Sequence, residues 1–169
     1  MLGLVDHLWR WRAQRQPFQP AWRTILDAEV PFYGRLAPQP RARFEDKLKV
    51  FLLTKHFIEA GGMVLTELHK VVISAAAARL TMNIPGEHYE RLTEVVVYPG
   101  AYVHKAGTHD GAVFGEAHTW GTVVLSYDAV THGLKNAGDG HNTATVSYTH
   151  LRAHETKAKL VCRLLLEKK

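Results

Sequence analysis

The spacing of apolar residues changes near residue 90, and this change constrains the fold more than any other feature. Before it, residues 41–57 place Phe44, Leu48, Phe51 and Leu52 three or four positions apart, which predicts an amphipathic helix. After it, EVVVY at 94–98 is a short β-branched run typical of a strand. Helices followed by a small sheet favour an α+β fold, with N-terminal helices packed on a small mixed or antiparallel sheet.

The helical half of the chain contains three more predicted helices, at residues 6–16, 21–29 and 67–82. Thr66 can cap the last of these, whose alanines and β-branched residues indicate close burial against another element. Pro31 and the Gly61-Gly62 pair interrupt the helical pattern.

The first predicted helix carries Trp9, Arg10, Arg12 and Arg15. One interpretation is a basic, aromatic surface for a partner or for lipid headgroups. The other has the tryptophan packed on the domain and the arginines in solvent. We favour the second.

The second half of the chain predicts strands at residues 94–98 and 102–105 and a hairpin from residues 112–118 and 122–127. A helix is expected at 128–135, followed by a turn at 138–140. Residues 141–145 resemble the first turn of a further helix.

The C-terminal segment differs in origin from the rest of the chain. VSYTHLRAHET at 146–156 and LVCRLLLEKK at 160–169 can be back-translated into DNA that resembles the adapter of a sequencing library. Added segments of this kind are left out of fold reasoning. We therefore expect residues 1–144 to be the folded part and residues 145–169 to be a non-native tail.

Charge and cysteine content exclude several kinds of site. Of 21 Lys and Arg residues, six lie in 145–169, as do two of 16 Asp and Glu residues, so the remainder is nearly neutral. The high overall pI therefore predicts neither nucleic-acid nor membrane binding. The single cysteine is Cys162, so residues 1–144 hold no disulfide or thiolate site, which fits a reducing compartment.

Several ordered segments of the chain resemble one family. They are FLLTKHFIEAGGMVLTELHKVVISAAAARL at 51–80, EVVVYPGAYV at 94–103 and GEAHTWGTVVLSYDAV at 115–130. Asp139-Gly140-His141-Asn142 resembles the approach to a zinc-binding helix. Together they are similar to the Mlc titration factor A family of zinc-dependent peptidases, over roughly residues 22–144.

The resemblance implies a partial zincin-like domain of a cytoplasmic enzyme that hydrolyses peptides. In the intact family Zn²⁺ is bound by His-Glu-x-x-His, whose glutamate activates the metal-bound water. That motif is expected within a few residues of Asn142, and this sequence does not contain it. We therefore expect a truncated, inactive fragment with no catalytic residue and no bound metal. The alternative is a non-catalytic interaction protein that binds a transcriptional repressor, the role for which the family is named.

The histidines offer no clear metal site. His150 and His154 lie four apart, but Leu151 and Ala153 match neither the motif nor its inverted form, so we interpret them as products of the tail. His104, His109 and His118 are irregularly spaced around Asp110 and Glu116, and a metal role is the less favoured reading. Surface positions are expected for His56, His69 and His88, which lie along or beside helical segments.

The predicted hairpin supplies the one candidate substrate site: Gly115, Glu116, Ala117 and His118. Peptidases of this general type bind substrate as an added strand at a sheet edge, through backbone hydrogen bonds.

Trp120 and Tyr127 are the candidate pocket aromatics of that site. The alternative, which we favour, is an ordinary hairpin whose aromatic residues fill the core. Glu116 and Asp128 could form an acid–base pair, but solvated positions are the preferred interpretation.

Overall fold

A computed structural model describes residues 2–85, 89–103, 112–113, 115–117 and 121–135. The α-helices are α1 (Leu2–Arg15), α2 (Pro20–Glu29), α3 (Pro38–Thr54), α4 (Glu67–Thr81) and α5 (Tyr127–Lys135), with a 3₁₀ turn at Tyr33–Arg35. The strands are β1 (His56–Glu59), β2 (Glu94–Tyr98), β3 (Tyr102–Val103), β4 (Ala112–Val113), β5 (Gly115–Ala117) and β6 (Thr122–Ser126).

The main sheet is mixed, in the order β1-β2-β6-β5. β1 pairs with β2 and β2 with β6 in parallel, whereas β5 pairs with β6 in the antiparallel sense. β3 and β4 form a separate antiparallel pair. The predicted α+β class and mixed sheet are confirmed. The hairpin predicted from residues 112–118 and 122–127 is present between β5 and β6, whereas residues 112–113 of its first predicted strand pair with β3 instead.

Helix α4 lies at the centre of the packing and connects the parallel strands β1 and β2. Its residues from Val71 to Ala78 are all buried, because small side chains let neighbouring helices approach closely. The buried Ser74 hydroxyl donates to the Lys70 carbonyl at 2.7 Å and so keeps a partner. The predicted helix with its close burial is confirmed, and it begins directly after Thr66.

The prediction that one helix runs through residues 41–57 was wrong at both ends. Helix α3 begins earlier, at Pro38, and ends at Thr54. Lys55 is extended, and the His56 amide donates to the Thr93 carbonyl at 2.9 Å, which starts β1. Pairing with β2 therefore ends the helix before Phe57, the last residue of the predicted range.

The preferred interpretation of the first helix was wrong for Trp9 and Arg10, whereas Arg12 and Arg15 are exposed as it expected. Trp9 and Trp11 are 58% and 49% exposed, whereas Arg10 is only 8% exposed. The buried Lys49 ammonium of α3 donates to the Gln14 and Gln16 carbonyls at 2.9 and 2.8 Å. This contact holds the end of α1 on α3, so that Ala13 and Arg10 face inward and the tryptophans outward.

The other predicted elements fall into two groups. Helices α2 and α5 and strands β2 and β6 lie where they were predicted, within two residues at each end. The strand predicted at 102–105 is present at Tyr102–Val103. The turn at 138–140, the helix start at 141–145 and the tail lie outside the described residues. No helix in the described part of the chain has the length and apolar character to cross a membrane.

Candidate functional site

The carboxyl ends of β1, β2 and β6 lie at one edge of the main sheet, because the three strands are parallel. We call this the carboxyl edge. It is formed by the segments after the strands, at 59–62, 98–100 and 126–128, and by the start of α4. Ligands of sheets with parallel strands commonly bind at such an edge.

Two backbone features fix the loop that leaves β1. Gly61 has a φ of +61°, and a β-carbon there would lie 2.5 Å from the Tyr98 ring, so this position requires glycine. The Glu59 carboxylate accepts a hydrogen bond from the Leu65 amide at 2.8 Å. The loop therefore closes tightly over the end of β2 and delivers the chain to α4.

The junction of β6 and α5 positions Tyr127. Ser126 ends β6, and its hydroxyl oxygen accepts from the Ala129 amide at 3.3 Å, which caps α5. The Asp128 amide donates to the Pro99 carbonyl at 3.1 Å, which ties the first turn of α5 to the end of β2. The Tyr127 side chain is thus held between a strand end and a helix start.

Tyr127 meets His69 of α4 at the carboxyl edge. Their ring centroids are 4.6 Å apart with planes at 70°, an edge-to-face contact. Burial, together with the nearby Glu29 and Asp128 carboxylates, raises the pKa of Tyr127 to about 12. The phenol is therefore neutral near pH 7 and can donate a hydrogen bond, but it is a poor general base. Its packing against the core agrees with the interpretation that we favoured for it.

His69 has a structural task at the start of α4. Its Nδ1 accepts from the Thr66 amide at 3.1 Å and lies 2.8 Å from the Thr66 hydroxyl oxygen, completing a capping box. The same turn is also held by Trp22 of α2, whose indole donates to the Glu67 carboxylate at 2.7 Å. His69 is therefore partly buried, and the prediction of a plain surface position did not anticipate this.

This role of His69 was missed in the sequence. Its position three residues after Thr66 is the one that Glu or Gln fills in the usual capping box, which is the signal that was available. Its contact with Tyr127 had no sequence signal, because the two residues belong to different elements.

The candidate strand lies at the end of the described sheet. Gly115, Glu116 and Ala117 form β5, opposite Leu125, Val124 and Val123 of β6. The sheet order places β5 beyond β6, so β5 is an edge strand in the part of the chain that the structure describes. Peptide binding by this strand stays a prediction. His118 and Trp120 lie outside the described residues.

Of the remaining described candidates, His56 is exposed at the start of β1, as predicted, and so lies away from the carboxyl edge. Asp128 is exposed in the first turn of α5 and lies at the carboxyl edge. Among the described residues, no three His, Cys, Asp or Glu side chains form a group that could hold a metal ion. Several predicted positions are outside the described residues: His88, His104, His109, His141, His150 and His154.

Comparison with known proteins identifies the class to which this fold and edge belong, a family of metallopeptidases. The sequence profile of the glucose-regulated metallo-peptidase M90 family matches residues 6–155. The chain belongs to this family, and the resemblance to Mlc titration factor A relatives is confirmed.

One curated relative is the uncharacterized protein slr2042 of Synechocystis sp. (strain ATCC 27184 / PCC 6803 / Kazusa). Over an alignment 169 residues long the two sequences are 32% identical, and the alignment covers 89% of this chain and 62% of the relative. The chain thus spans less than two thirds of the relative's length. No solved structure matches the chain.

Proposed function

We propose that residues 1–144 are the N-terminal part of a cytoplasmic zinc-dependent peptidase domain that hydrolyses peptides. The observation that carries the proposal is the family match, which begins at residue 6 and includes every described strand and helix from α2 to α5. The cysteine-free composition of this part fits a reducing compartment.

In this proposal β5 is the strand to which a peptide substrate adds. Its position at the sheet edge supports the role, because a peptide paired there would gain backbone hydrogen bonds without any change in β6. The neutral Tyr127 phenol at the neighbouring carboxyl edge is a suitable hydrogen-bond donor to such a peptide.

The zinc-binding motif of the family is His-Glu-x-x-His, and the sequence does not contain it. The family match does reach residue 155, and His150 and His154 have the spacing of the family's histidine pair, but Leu151 stands where the glutamate is needed. Without that carboxylate the metal-bound water has no general base. We therefore propose that this chain is inactive.

Purified protein of residues 1–169 should show no chelator-sensitive cleavage of fluorogenic peptides, since about three protein ligands and a base are needed. The measurement compares 1,10-phenanthroline with its non-chelating 1,7 isomer, in buffer containing added Zn²⁺. Cleavage that only the 1,10 isomer abolishes, and that Zn²⁺ restores, would show that the chain is an active peptidase after all.

A second candidate function is a non-catalytic interaction with a protein partner such as a transcriptional repressor. The observation in its favour is the exposed apolar group on α1, where Leu8, Trp9 and Trp11 are 63%, 58% and 49% exposed. Exposed apolar groups of this kind are common at protein interfaces. Binding of this type would persist in the presence of a chelator, whereas peptidase activity would not.

We also propose that residues 145–169 are a non-native tail, because residues 146–156 and 160–169 can be back-translated into adapter-like DNA. The family match continues to residue 155 and so overlaps the first part of this segment. Packing that has not been selected adds little specific stability, so deletion of residues 146–169 should change the free energy of unfolding by about 1 kcal/mol or less. Urea titrations of 1–145 and 1–169, followed by circular dichroism, measure the difference. A loss of several kcal/mol on deletion would instead make the segment part of the fold.

A further inference from the structure

A cleft lies at the opposite edge of the sheet, where β1 and β2 begin. It has a volume of about 770 Å³ and is lined by α1, α3, the end of α4 with its following turn, and Tyr89. This volume falls within the range of small-molecule sites. The cleft is separated from the carboxyl edge by the length of the strands, so a ligand here would not occupy the proposed peptide site.

One side of α3 sets the chemical character of the cleft. Arg43, Lys47, Val50 and Thr54 recur at three- or four-residue spacing and all line it. The side therefore changes from basic at Arg43 and Lys47 to apolar at Val50 and its neighbour Phe51. At 1.5 Å per residue, Arg43 and Phe51 are roughly 12 Å apart along the helix axis, enough for both ends of a small ligand.

The basic end is reinforced from α1. Arg10 lines the same region, although only 8% of its surface is exposed. Among the described residues that line the cleft, Asp46 is the one carboxylate, against Arg10, Arg43 and Lys47. Asp46 also lies 3.4 Å from the Lys49 ammonium, which is outside the lining and partly offsets the Asp46 charge. The described lining at this end therefore has more basic than acidic side chains.

The apolar end is built around Tyr89. Its φ of +61° is rare for a bulky residue and is held by three contacts. The hydroxyl donates to the Ala77 carbonyl at 3.2 Å, the carbonyl accepts from the Lys55 ammonium at 2.7 Å, and the ring meets Phe51 edge to face at 5.1 Å. Strained residues held this firmly are concentrated at functional sites.

The orientation of a ligand follows from the helix ends. Helices α3 and α4 both end beside the apolar part of the cleft, and helix C-termini carry partial negative charge. The Lys55 ammonium there already donates to the carbonyls of Tyr89 and Leu92. An anionic group is therefore favoured at the Arg43 and Lys47 end, with an apolar body packed against the surface formed by Val50, Phe51 and Tyr89.

We propose that this cleft is a binding site for a small amphipathic organic anion, with a carboxylate, sulfonate or phosphate head and an aromatic or short aliphatic body. The site does not depend on the peptidase function, because it shares no lining residue with the carboxyl edge.

Isothermal titration of the 1–169 protein with naphthalene-2-sulfonate tests the proposal, with naphthalene-2-sulfonamide as the neutral counterpart. The Kd of the sulfonate should rise at least tenfold in the double variant Arg43→Gln/Lys47→Gln, and the sulfonamide should bind at least tenfold more weakly than the sulfonate. Arg12→Gln is the matched control, because Arg12 is an exposed arginine outside the lining. It should leave the Kd unchanged.

A second variant, Val50→Trp, fills the cleft without removing charge and should also abolish binding. Circular dichroism must show each variant to be folded. Equal affinity for the sulfonate and the sulfonamide, an unchanged Kd in both cleft variants, or no saturable binding to the folded wild-type protein would each overturn the proposal.

Discussion

Replacement of Gly121 by alanine is expected to lower the free energy of unfolding by about 3 kcal/mol or more. Gly121 has a φ of +88°, where an L side chain is strained by roughly 1–3 kcal/mol. A β-carbon there would also lie 2.3 Å from the Arg91 carbonyl oxygen, which is backbone and cannot rotate away. The clash adds to the strain, so the hairpin between β5 and β6 should open or shift.

Relief of this clash by backbone movement would itself be costly. The Gly121 carbonyl accepts from the Thr93 and Glu94 amides at 2.8 and 3.1 Å and from the Thr93 hydroxyl at 3.1 Å. These bonds start the pairing of β2 with β6. A shift large enough to accommodate the methyl group would break them, at about 1 kcal/mol each.

Substitutions at two other glycines allow the cost of backbone strain to be measured apart from the cost of a steric clash. Gly62 has a φ of +79° with open space around its β-position, so Gly62→Ala should cost only about 1 kcal/mol. Gly34 has no positive φ, and no atom lies close to the position of an added β-carbon. Gly34→Ala should therefore be neutral or slightly stabilising. Urea titrations of the three variants measure the differences. Similar losses in Gly121→Ala and Gly62→Ala would mean that the Arg91 carbonyl moves aside freely.

Local signals explain which elements were predictable. Helix α4 has its cap at Thr66 and a continuous run of helix-compatible small residues, and its limits were predicted within one residue. Strand β1 was not predictable in this way. Its residues follow α3 directly, and their extended form depends on pairing with β2, which lies more than thirty residues later in the chain.

The same distinction applies to side chains. The turn residues and β-branched runs predicted the hairpin and so placed β5 correctly, although they contain no information about what binds there. The outward direction of Trp9 depends on the hydrogen bonds from Lys49 to the end of α1, and these join distant parts of the chain. Hydrophobicity alone predicted that the tryptophan is buried and the arginines are exposed. It gives no indication that a long arginine side chain can also be buried.

The buried carboxylate of Glu45 is a further feature that periodicity did not indicate. Glu45 is on the inner side of α3 and only 8% exposed. Arg23 of α2 donates to both of its oxygens, at 3.0 and 2.8 Å, and the Tyr33 hydroxyl donates at 2.5 Å. Three elements are therefore joined through one carboxylate, in the fork geometry that arginine allows.

The network also sets the protonation of its members. Burial alone would raise the pKa of Glu45, but the hydrogen bonds from Arg23 and Tyr33 outweigh it, and the pKa lies below its ordinary value. Burial, together with the hydrogen bond to Glu45, raises the pKa of Tyr33 to about 12. Glu45 is therefore ionised and Tyr33 neutral across the physiological range.

The variant Glu45→Gln should lower the free energy of unfolding by about 2–3 kcal/mol at pH 7. Removal of one partner of a buried pair costs about 3–5 kcal/mol, and we place this case lower because the Arg23 side chain is 48% exposed and screened by water. Asp46→Asn is the matched control on the same helix. Asp46 is 69% exposed, and its loss should change stability by roughly 0.5 kcal/mol or less.

The pH dependence of the free energy of unfolding shows whether the charge of Glu45 causes the loss of stability in Glu45→Gln. A carboxylate with a lowered folded-state pKa contributes its full stability above its unfolded pKa of about 4.3 and loses it as pH falls through the folded value. The difference between wild type and Glu45→Gln should therefore be largest near pH 6–7 and shrink below pH 4.

For Tyr33, with its raised pKa, the contribution is present below about pH 10 and lost as pH rises toward 12. Urea titrations at pH 3–11 test both limits. A difference of constant size from pH 3 to pH 7 would show that Glu45 acts through its shape and hydrogen bonds and that its charge contributes nothing.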